Sequence, residues 1–427
     1  MRTTTSIRFG LALLSAASIL ISCSTSDHLF QPTSLSDSAY DRFGGVYHTY
    51  IYDPGETTPV PSGFKPFYIS HIGRHGSRYP VDRPYVMTGL SRLQECGQAG
   101  ILTSEGEKLL EGFRKLDSLC TGVYGYLDAK GAQEHKDIAS RMYENYPGVF
   151  HQKDRDSVAV QSTHRQRCLM SSWNFCTTLR SKAPGIRMGL VAGDKYYDIL
   201  SNAETKEITA HNKPFNQSYD EHLYGRLDVD AFYERMFTDT QKAAEIVSRK
   251  GLLLETCYTN GSVALYLGVS DIVDAMTPQE YEAAARVYSG KMNCQHCNSA
   301  ENGDFRVFYA RPLLGDFIDK ADSALEGNGV AADLRFTHDT GMMPFFGLIG
   351  IEGYDRGYTY DEAADNWDST RLMCMATNLQ AVFYRNRKGD VKVKLLLNER
   401  ETSIPALGEG PFYDWEDLRA YLVSKMD

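Results

Sequence analysis

A histidine between two arginines, directly after a strand-like segment, is the feature that most constrains this chain. Residues 74–80 read Arg-His-Gly-Ser-Arg-Tyr-Pro, and the apolar run at residues 64–69 that leads into them is typical of a β-strand. A chance match to Arg-His-Gly-x-Arg-x-Pro at five fixed positions has odds of about one in ten thousand in a chain of this length. We therefore expect a functional turn at a strand end rather than a surface cluster of charges.

The residue types in this turn suit a phosphoryl group. Arg74 and Arg78 each carry a fork of donors that matches phosphoryl oxygens, and Gly76 lets the backbone turn tightly and approach a ligand. His75 offers a ring nitrogen as nucleophile. A phosphoryl group taken by His75 as a covalent phosphohistidine divides hydrolysis into two in-line steps. The turn thus predicts phosphate binding with a nucleophile in place.

A second pair of chemistry-bearing residues, His338 and Asp339, follows the strand-like run 331–337 and precedes the apolar segment 342–349, which suits a buried helix. Alone, such a dipeptide is usually structural. Together with the first motif it supplies what hydrolysis still needs, because a hydroxyl leaving group requires a proton. We expect a partly protonated Asp339 to give that proton and then to act as base on water, while His338 donates to phosphoryl oxygens.

The remaining chain alternates strand and helix patterns around one helical stretch. Segments 102–119, 131–146 and 166–179 have helical spacing, 158–160 is strand-like, and 381–384 and 391–397 flank a turn at 388–390 as in a β-hairpin. Residues 206–292 look helical, with one helix over 230–250 that Gly251 ends and a capping box from Thr277 to Glu280.

This pattern predicts an α/β fold, a mixed-sheet α/β sandwich core with an inserted, mostly helical cap subdomain. We assign residues 41–205 and 293–427 to the core and 206–292 to the insertion. In such sheets ligands bind beyond the carboxyl ends of the strands, which is where both motifs lie.

The first forty residues belong to export rather than to the fold. Arg2 and Arg8 precede an apolar run at residues 9–21 that is too short to span a bilayer comfortably and that ends in Leu-Ile-Ser-Cys at residues 20–23. We expect residues 1–22 to be a lipoprotein signal peptide, Cys23 to be lipidated, and 23–40 to be a tether. The protein would then be an exported, membrane-anchored lipoprotein on the periplasmic or cell-surface side. The alternative is a plain secretory signal.

Charge and cysteine content exclude several partners and sites. A net charge of −10 without a long basic run argues against nucleic acid. Besides Cys23 the chain has eight cysteines, which we expect to be structural disulfides or buried thiols. A zinc site at Cys294 and Cys297 lacks a second close-spaced pair. We expect no metal, no cofactor and a monomer.

The two motifs resemble those of the histidine acid phosphatase family, the branch of the histidine phosphatase superfamily that includes phytases and multiple inositol polyphosphate phosphatases. The resemblance implies His75 as nucleophile, Arg74 and Arg78 as phosphate ligands, His338 as a further ligand and Asp339 as proton donor. Residues 163–172 resemble the family segment with a third phosphate-binding arginine. We assign that role to Arg167, with Arg165 as the alternative. The family fold, an α/β domain with a variable helical domain over the pocket, agrees with the pattern above.

One departure bears on the substrate. Many inositol polyphosphate phosphatases carry His-Ala-Glu where this chain has His338-Asp339-Thr340, the form of bacterial phytases and general acid phosphatases. The resemblance implies a metal-independent phosphomonoesterase that acts on myo-inositol hexakisphosphate and related polyphosphates. A broad acid phosphatase on small phosphate esters and a non-catalytic lipoprotein that binds phosphorylated ligands are the alternatives, although binding alone needs neither His75 nor Asp339.

A further set of cations is expected to be solvated rather than substrate-binding: Arg180, Lys182, Arg187 and Lys195.

Overall fold

A computed structural model describes residues 44–81, 83–201, 205–254, 256 and 267–427. The expected signal peptide, lipidation site Cys23 and tether lie outside these residues, as does Cys257. The strands are β1 (Lys65–Arg74), β2 (Ser157–Ser162), β3 (Arg187–Ala192), β4 (Val330–Thr337), β5 (Asn378–Arg385), β6 (Val391–Leu397), β7 (Arg400–Glu401) and β8 (Phe412–Asp414). The strand expected over residues 64–69 is β1, which has ten residues instead of six and continues to Arg74.

These strands form one eight-stranded sheet in the order β3-β2-β4-β1-β5-β6-β7, with β8 on β6. The first four run parallel to one another, whereas β5 to β8 pair antiparallel. The mixed sheet confirms the expected α/β class. The hairpin around residues 388–390 is also confirmed, since β5 and β6 pair over their whole length and Gly389 takes the left-handed conformation that its turn requires.

Helices cover the sheet on both sides. They are α1 (Arg83–Gln98), α2 (Ser104–Cys120), α3 (Ala129–Asn145), α4 (Gln166–Lys182), α5 (Asp194–Leu200), α6 (Lys206–Tyr224), α7 (Asp230–Met236), α8 (Thr240–Ile246), α9 (Arg249–Leu254), α10 (Ser270–Val273), α11 (Pro278–His296), α12 (Phe305–Phe308), α13 (Arg311–Glu326), α14 (Asp339–Ile349), α15 (Tyr360–Asn366), α16 (Ser369–Leu372) and α17 (Trp415–Ser424).

The central strands are buried on both faces, and this gives the molecule two apolar cores. Along β5, Leu379 and Phe383 pack into one core while Val382 and Tyr384 pack into the other, as the alternation of a strand requires. Helices α3 and α4 close the smaller core. The larger core joins the opposite face of the sheet to α2, α13, α14 and the helices between residues 205 and 296.

Two local expectations are wrong. The single helix over 230–250 is instead α7, α8 and α9, because Phe237 is extended and bridges to Leu102, and Asp239 then caps a new helix by accepting from the Lys242 N–H. Gly251, expected to stop the helix, lies inside α9. Strand β3 was not expected at all, because it is a sheet edge whose side chains are mostly exposed and lack a buried alternation.

Other local signals hold. Thr277 and Glu280 form the expected reciprocal capping box at the start of α11. The seven cysteines within the described ranges are free, and six of them are buried, so buried thiols rather than disulfides are the outcome there. Across the described residues, no helix has both the length and the apolar character needed to span a bilayer.

Candidate active site

Three neighbouring parallel strands end at the same edge of the sheet, and each delivers part of the site. Thr163 follows β2, His338 follows β4 and His75 follows β1. The strand ladder continues one residue further, since the His75 N–H donates to the Thr337 carbonyl at 2.9 Å and the Thr163 N–H to the Phe336 carbonyl at 3.1 Å. The rings of His75 and His338 consequently lie 5.4 Å apart between centroids. The two sequence motifs thus form one site.

The turn after β1 packs tightly on the first turn of α3. A Cβ on Gly76 would lie 2.5 Å from the carbonyl oxygen of Gly131, and a Cβ on Gly131 would lie 2.1 Å from that of Ser77. Gly76 is therefore needed for the approach of a helix, which is a different reason from the close approach to a ligand expected from sequence. Its N–H is held by Ser171 Oγ at 3.0 Å.

His75 is a neutral imidazole with one ring nitrogen available. Its Nδ1 lies 2.9 Å from the Gly76 carbonyl, which can only accept, so Nδ1 carries the proton and Nε2 keeps its lone pair. Burial, together with Arg167 and Arg74, holds the pKa of His75 well below its usual range. A neutral ring with a free Nε2 lone pair is the form that a nucleophile requires.

Arg74 is completely buried and is oriented from three sides. Its Nη1 donates to the carbonyls of Val46 and Met373, and its Nη2 donates to Asp339 Oδ2 at 2.5 Å. The two carbonyl contacts fix the plane of the guanidinium. The third contact joins the end of β1 to the start of α14.

Asp339 begins α14, and its Oδ1 accepts the Thr340 N–H at 2.8 Å. Burial raises the pKa of this carboxyl, but the neighbouring cations, Arg74 first and Arg78 after it, outweigh burial and hold it below its ordinary value. This direction favours the ionised carboxylate in the site without substrate, whereas the sequence led us to expect a partly protonated acid. The reason is the direct contact with Arg74, which the spacing of the motifs does not reveal.

Arg167 contacts His338 from the first turn of α4. Its Nη2 lies 3.3 Å from His338 Nδ1, and since a guanidinium only donates, the His338 proton is on Nε2, 3.1 Å from Thr163 Oγ1. Burial and Arg167 lower the pKa of His338. Arg165 is exposed, with its guanidinium 5.9 Å from the Tyr197 ring centroid.

Arg78 is buried and completes the cationic side of the site. Its Nη1 donates to the Tyr79 carbonyl at 3.1 Å, and its guanidinium lies over the Tyr47 ring at 5.3 Å. The structure thus brings together all six residues that the sequence assigned to catalysis and phosphate binding. Arg74 is completely buried next to Asp339, and the other five line one cavity: His75, Arg78, Arg167, His338 and Asp339.

The cavity has a volume of about 940 Å³ and a second wall that the sequence did not indicate. One face of α11 lines it, with side chains at the helical spacing i, i+3, i+4, i+7 and i+8: Tyr288, Lys291, Met292, Gln295 and His296. The sequence contains this helical spacing, but no local signal shows that this face of α11 lines the same cavity as the two motifs. The four cations expected to be solvated do not line the cavity, and Lys182 and Arg187 pair with Glu144 and Asp156 instead.

Within the described ranges, no group of three or more His, Cys, Asp or Glu residues is arranged to hold a metal ion. Cys294 and Cys297 are separate buried thiols near the end of α11.

No protein-family model and no curated protein matches the chain. Among solved structures, the multiple inositol polyphosphate phosphatase of Bifidobacterium longum, in complex with inositol hexasulfate, aligns with a TM-score of 0.71 at 19% identity over 89% of this chain and 97% of that one. The phytase from D. castellii aligns at 0.64 and 15% identity, over 91% and 85%. The phytase of Klebsiella sp. ASR1 aligns at 0.52 and 13%, over 85% and 96%. The chain has the fold that these phosphatases share.

Proposed function

We propose that this protein is a phosphomonoester hydrolase that works through a phosphohistidine intermediate at His75 and removes phosphates from inositol polyphosphates. The observation that carries the proposal is the state of His75, a buried neutral ring whose Nε2 is available beside Arg74 and Arg167. Clustered guanidiniums in a partly buried site attract an anion and match the oxygens of a phosphoryl group.

In the first step His75 Nε2 attacks phosphorus and the bond from phosphorus to the leaving oxygen breaks. The phosphoryl oxygens are held by Arg74, Arg78 and Arg167. Because Nδ1 keeps its proton, the phosphorylated ring is an imidazolium, and the Gly76 carbonyl that accepts from Nδ1 stabilises its positive charge. Proton and charge therefore balance without a separate base for the nucleophile.

Asp339 supplies the proton that the leaving oxygen takes. Contact with Arg74 favours the ionised carboxylate, but a bound phosphoryl group competes for Arg74 and adds negative charge nearby, and both changes raise the pKa of the carboxyl. Asp339 then takes up a proton from solvent before the bond from phosphorus to the leaving oxygen breaks. In the second step water attacks the phosphohistidine and gives its proton to the Asp339 carboxylate, which releases phosphate and restores neutral His75.

Support for a polyphosphorylated substrate comes from the cavity beyond the reacting centre. Arg165, beside the start of α4, and Lys291, in α11, both line it, in addition to the arginines that hold the reacting phosphoryl group. The Bifidobacterium longum phosphatase, which shares the fold, is described in complexes with inositol hexasulfate and with phosphate. A cyclitol with several anionic groups matches a roomy cavity with cations on more than one wall.

The test is turnover of myo-inositol hexakisphosphate against p-nitrophenyl phosphate, with products separated by ion-exchange chromatography. We expect inorganic phosphate, a ladder of lower inositol phosphates and the larger kcat/KM for the inositol substrate. We also expect turnover to persist in EDTA, because three guanidiniums and one acid already supply the charge stabilisation and the proton. Turnover of the aryl ester alone would indicate a small-ester acid phosphatase, and phosphate binding without turnover would indicate a non-catalytic binder.

Export with lipidation at Cys23 is proposed alongside this activity, on the charged, apolar and Leu-Ile-Ser-Cys segments of the N-terminus. Incorporation of labelled palmitate into the wild-type chain and its absence from Cys23→Ser would support the anchor. Labelling that survives this substitution would exclude it.

A further inference from the structure

Two buried carboxylates contact the phosphate-binding turn without lining the cavity, and the hydrolytic steps do not use them. The first is Glu134 in α3, whose side chain is buried. Its Oε2 accepts the Ser77 N–H at 2.8 Å, and its Oε1 accepts the Tyr50 N–H at 2.8 Å. Both carboxylate oxygens therefore hold backbone, and one of them holds the turn between His75 and Arg78.

The second carboxylate is Asp128, the N-cap residue of α3. Its Oδ1 accepts the Gly131 N–H at 2.7 Å, and its Oδ2 accepts the Ser77 hydroxyl at 2.8 Å. Its own N–H donates to the Ser77 carbonyl at 3.1 Å. Every polar group of Ser77 is thus bonded to Asp128 or Glu134, so the centre of the turn is fixed to the start of one helix.

Burying two neighbouring acids opposes folding, and the cost appears as a raised pKa of each carboxyl. Burial raises the pKa of Asp128, and it raises the pKa of Glu134 to about 7, with the neighbouring Asp128 carboxylate adding to the rise for Glu134. A buried carboxylate is costly unless hydrogen bonds satisfy it. Here the N–H and O–H groups that donate to the two carboxylates belong largely to the segments that build the phosphate site. The two acids therefore contribute to the geometry of that site and not only to the stability of the fold.

Glu134 also joins the turn to a second segment of the site. This segment is residues 45–50. Its Val46 carbonyl accepts a hydrogen bond from Arg74, and its His48 carbonyl accepts the Met375 N–H at 2.8 Å. Tyr47 from the same segment lines the cavity. Through Tyr50 and Ser77, Glu134 is the common anchor of the turn that carries His75 and the segment that orients Arg74.

We propose that Glu134 and Asp128 are positioning residues that set the orientation of His75 and Arg78 for phosphate binding, an inference that rests on the proposed function. The turn cannot move towards α3 when one of these hydrogen bonds is lost, because the backbones of Gly76 and Gly131 are already in contact. A displacement of about 1 Å at a reacting group lowers rates by roughly a hundredfold. The two acids therefore act on the reaction through the turn, without contacting substrate.

The test uses Glu134→Gln, whose amide nitrogen must face one of the two N–H donors, so that one hydrogen bond is lost while the shape is kept. The matched control is Glu144→Gln, the same change on the same helix, where Glu144 is exposed and pairs with Lys182. Binding of inorganic phosphate is measured by calorimetry and turnover by phosphate release, alongside the midpoint of thermal unfolding.

For Glu134→Gln we expect phosphate affinity to fall at least about tenfold and kcat by roughly ten- to a hundredfold, equally for good and poor leaving groups. Glu144→Gln should match the wild type in both. Wild-type phosphate affinity and kcat in a folded Glu134→Gln protein would overturn the inference. A lower unfolding midpoint with unchanged phosphate affinity would also overturn it, since that result describes a purely structural residue.

If Glu134→Gln does not fold, Ser77→Ala removes the hydroxyl that Asp128 holds and should weaken phosphate binding several-fold; unchanged binding in that variant would overturn the inference. The phosphate measurement also separates the two proposals. A wild-type protein that binds phosphate but hydrolyses no ester would contradict the proposed function, while the comparison of phosphate affinities would still decide the role of Glu134.

Discussion

Arg74 and Asp339, from the ends of two neighbouring parallel strands, are in direct contact, with Nη2 donating to Oδ2 at 2.5 Å. This contact holds the pKa of the Asp339 carboxyl below its ordinary value. In the proposed mechanism, the cation that holds the phosphoryl group therefore also favours the ionised form of the proton donor before substrate arrives. The mechanism predicts that a bound phosphoryl group draws Arg74 away from Asp339 and so raises the pKa of the carboxyl.

Asp339→Asn removes the group that gives a proton to the leaving oxygen, and it also removes the charge that Arg74 pairs with. We expect kcat for esters with poor leaving groups to fall by roughly a hundredfold or more, and p-nitrophenyl phosphate to be affected much less, because nitrophenolate leaves without a proton. Steady-state rates across a series of leaving groups measure this. A loss of the same size for every ester would mean that Asp339 has no role in proton transfer.

Arg167 and Arg165 offer a matched pair for locating the third phosphate-binding arginine. Arg167 is half-buried and contacts His338, whereas Arg165 is exposed, although both line the cavity. We expect Arg167→Gln to raise the inhibition constant of inorganic phosphate by roughly ten- to a hundredfold, the effect of losing a buried charged hydrogen bond, and Arg165→Gln to raise it less than about threefold. The opposite order would assign the role to Arg165.

Two buried histidines beneath the site make stability depend on pH. The rings of His71 and His135 both contact Phe336, and burial lowers the pKa of each from 6.5 to about 3. Since the unfolded chain takes up these protons at higher pH than the folded one, the free energy of unfolding falls as the pH drops from 6.5 towards 3.

Between pH 7 and about pH 4.5, the titration of each of these histidines should lower the free energy of unfolding of the protein by about 2 to 3 kcal/mol. His71→Gln removes one of the two titrations. Urea unfolding at both pH values should show a correspondingly smaller difference for the variant. An equal difference in wild type and variant would show that His71 does not titrate on unfolding.

The sequence predicts those parts of this protein that depend on neighbouring residues. The two motifs are local, and their position after strands sufficed to place His75 and His338 at one sheet edge, because the carboxyl ends of parallel strands meet there. The capping box at Thr277 is local in the same sense. Fold class followed from the alternation of such segments.

Features that depend on packing between distant segments were missed or mistaken. The face of α11 that lines the cavity and the lowered pKa of Asp339 both arise from contacts across the fold, as does the helix contact that explains Gly76. Strand β3 has little buried surface to pattern it. The helix over 230–250 was interrupted because Phe237 pairs with Leu102, more than a hundred residues earlier.

The central claim is that His75 becomes phosphorylated during turnover, and trapping that intermediate tests it most directly. Enzyme mixed with ³²P-labelled substrate is denatured in alkali within the first turnovers, and the label is mapped by peptide mass spectrometry. We predict a base-stable, acid-labile phosphoramidate on His75 Nε2, absent from a folded His75→Ala protein that is inactive. Undiminished turnover by His75→Ala, or label on another residue, would contradict the account.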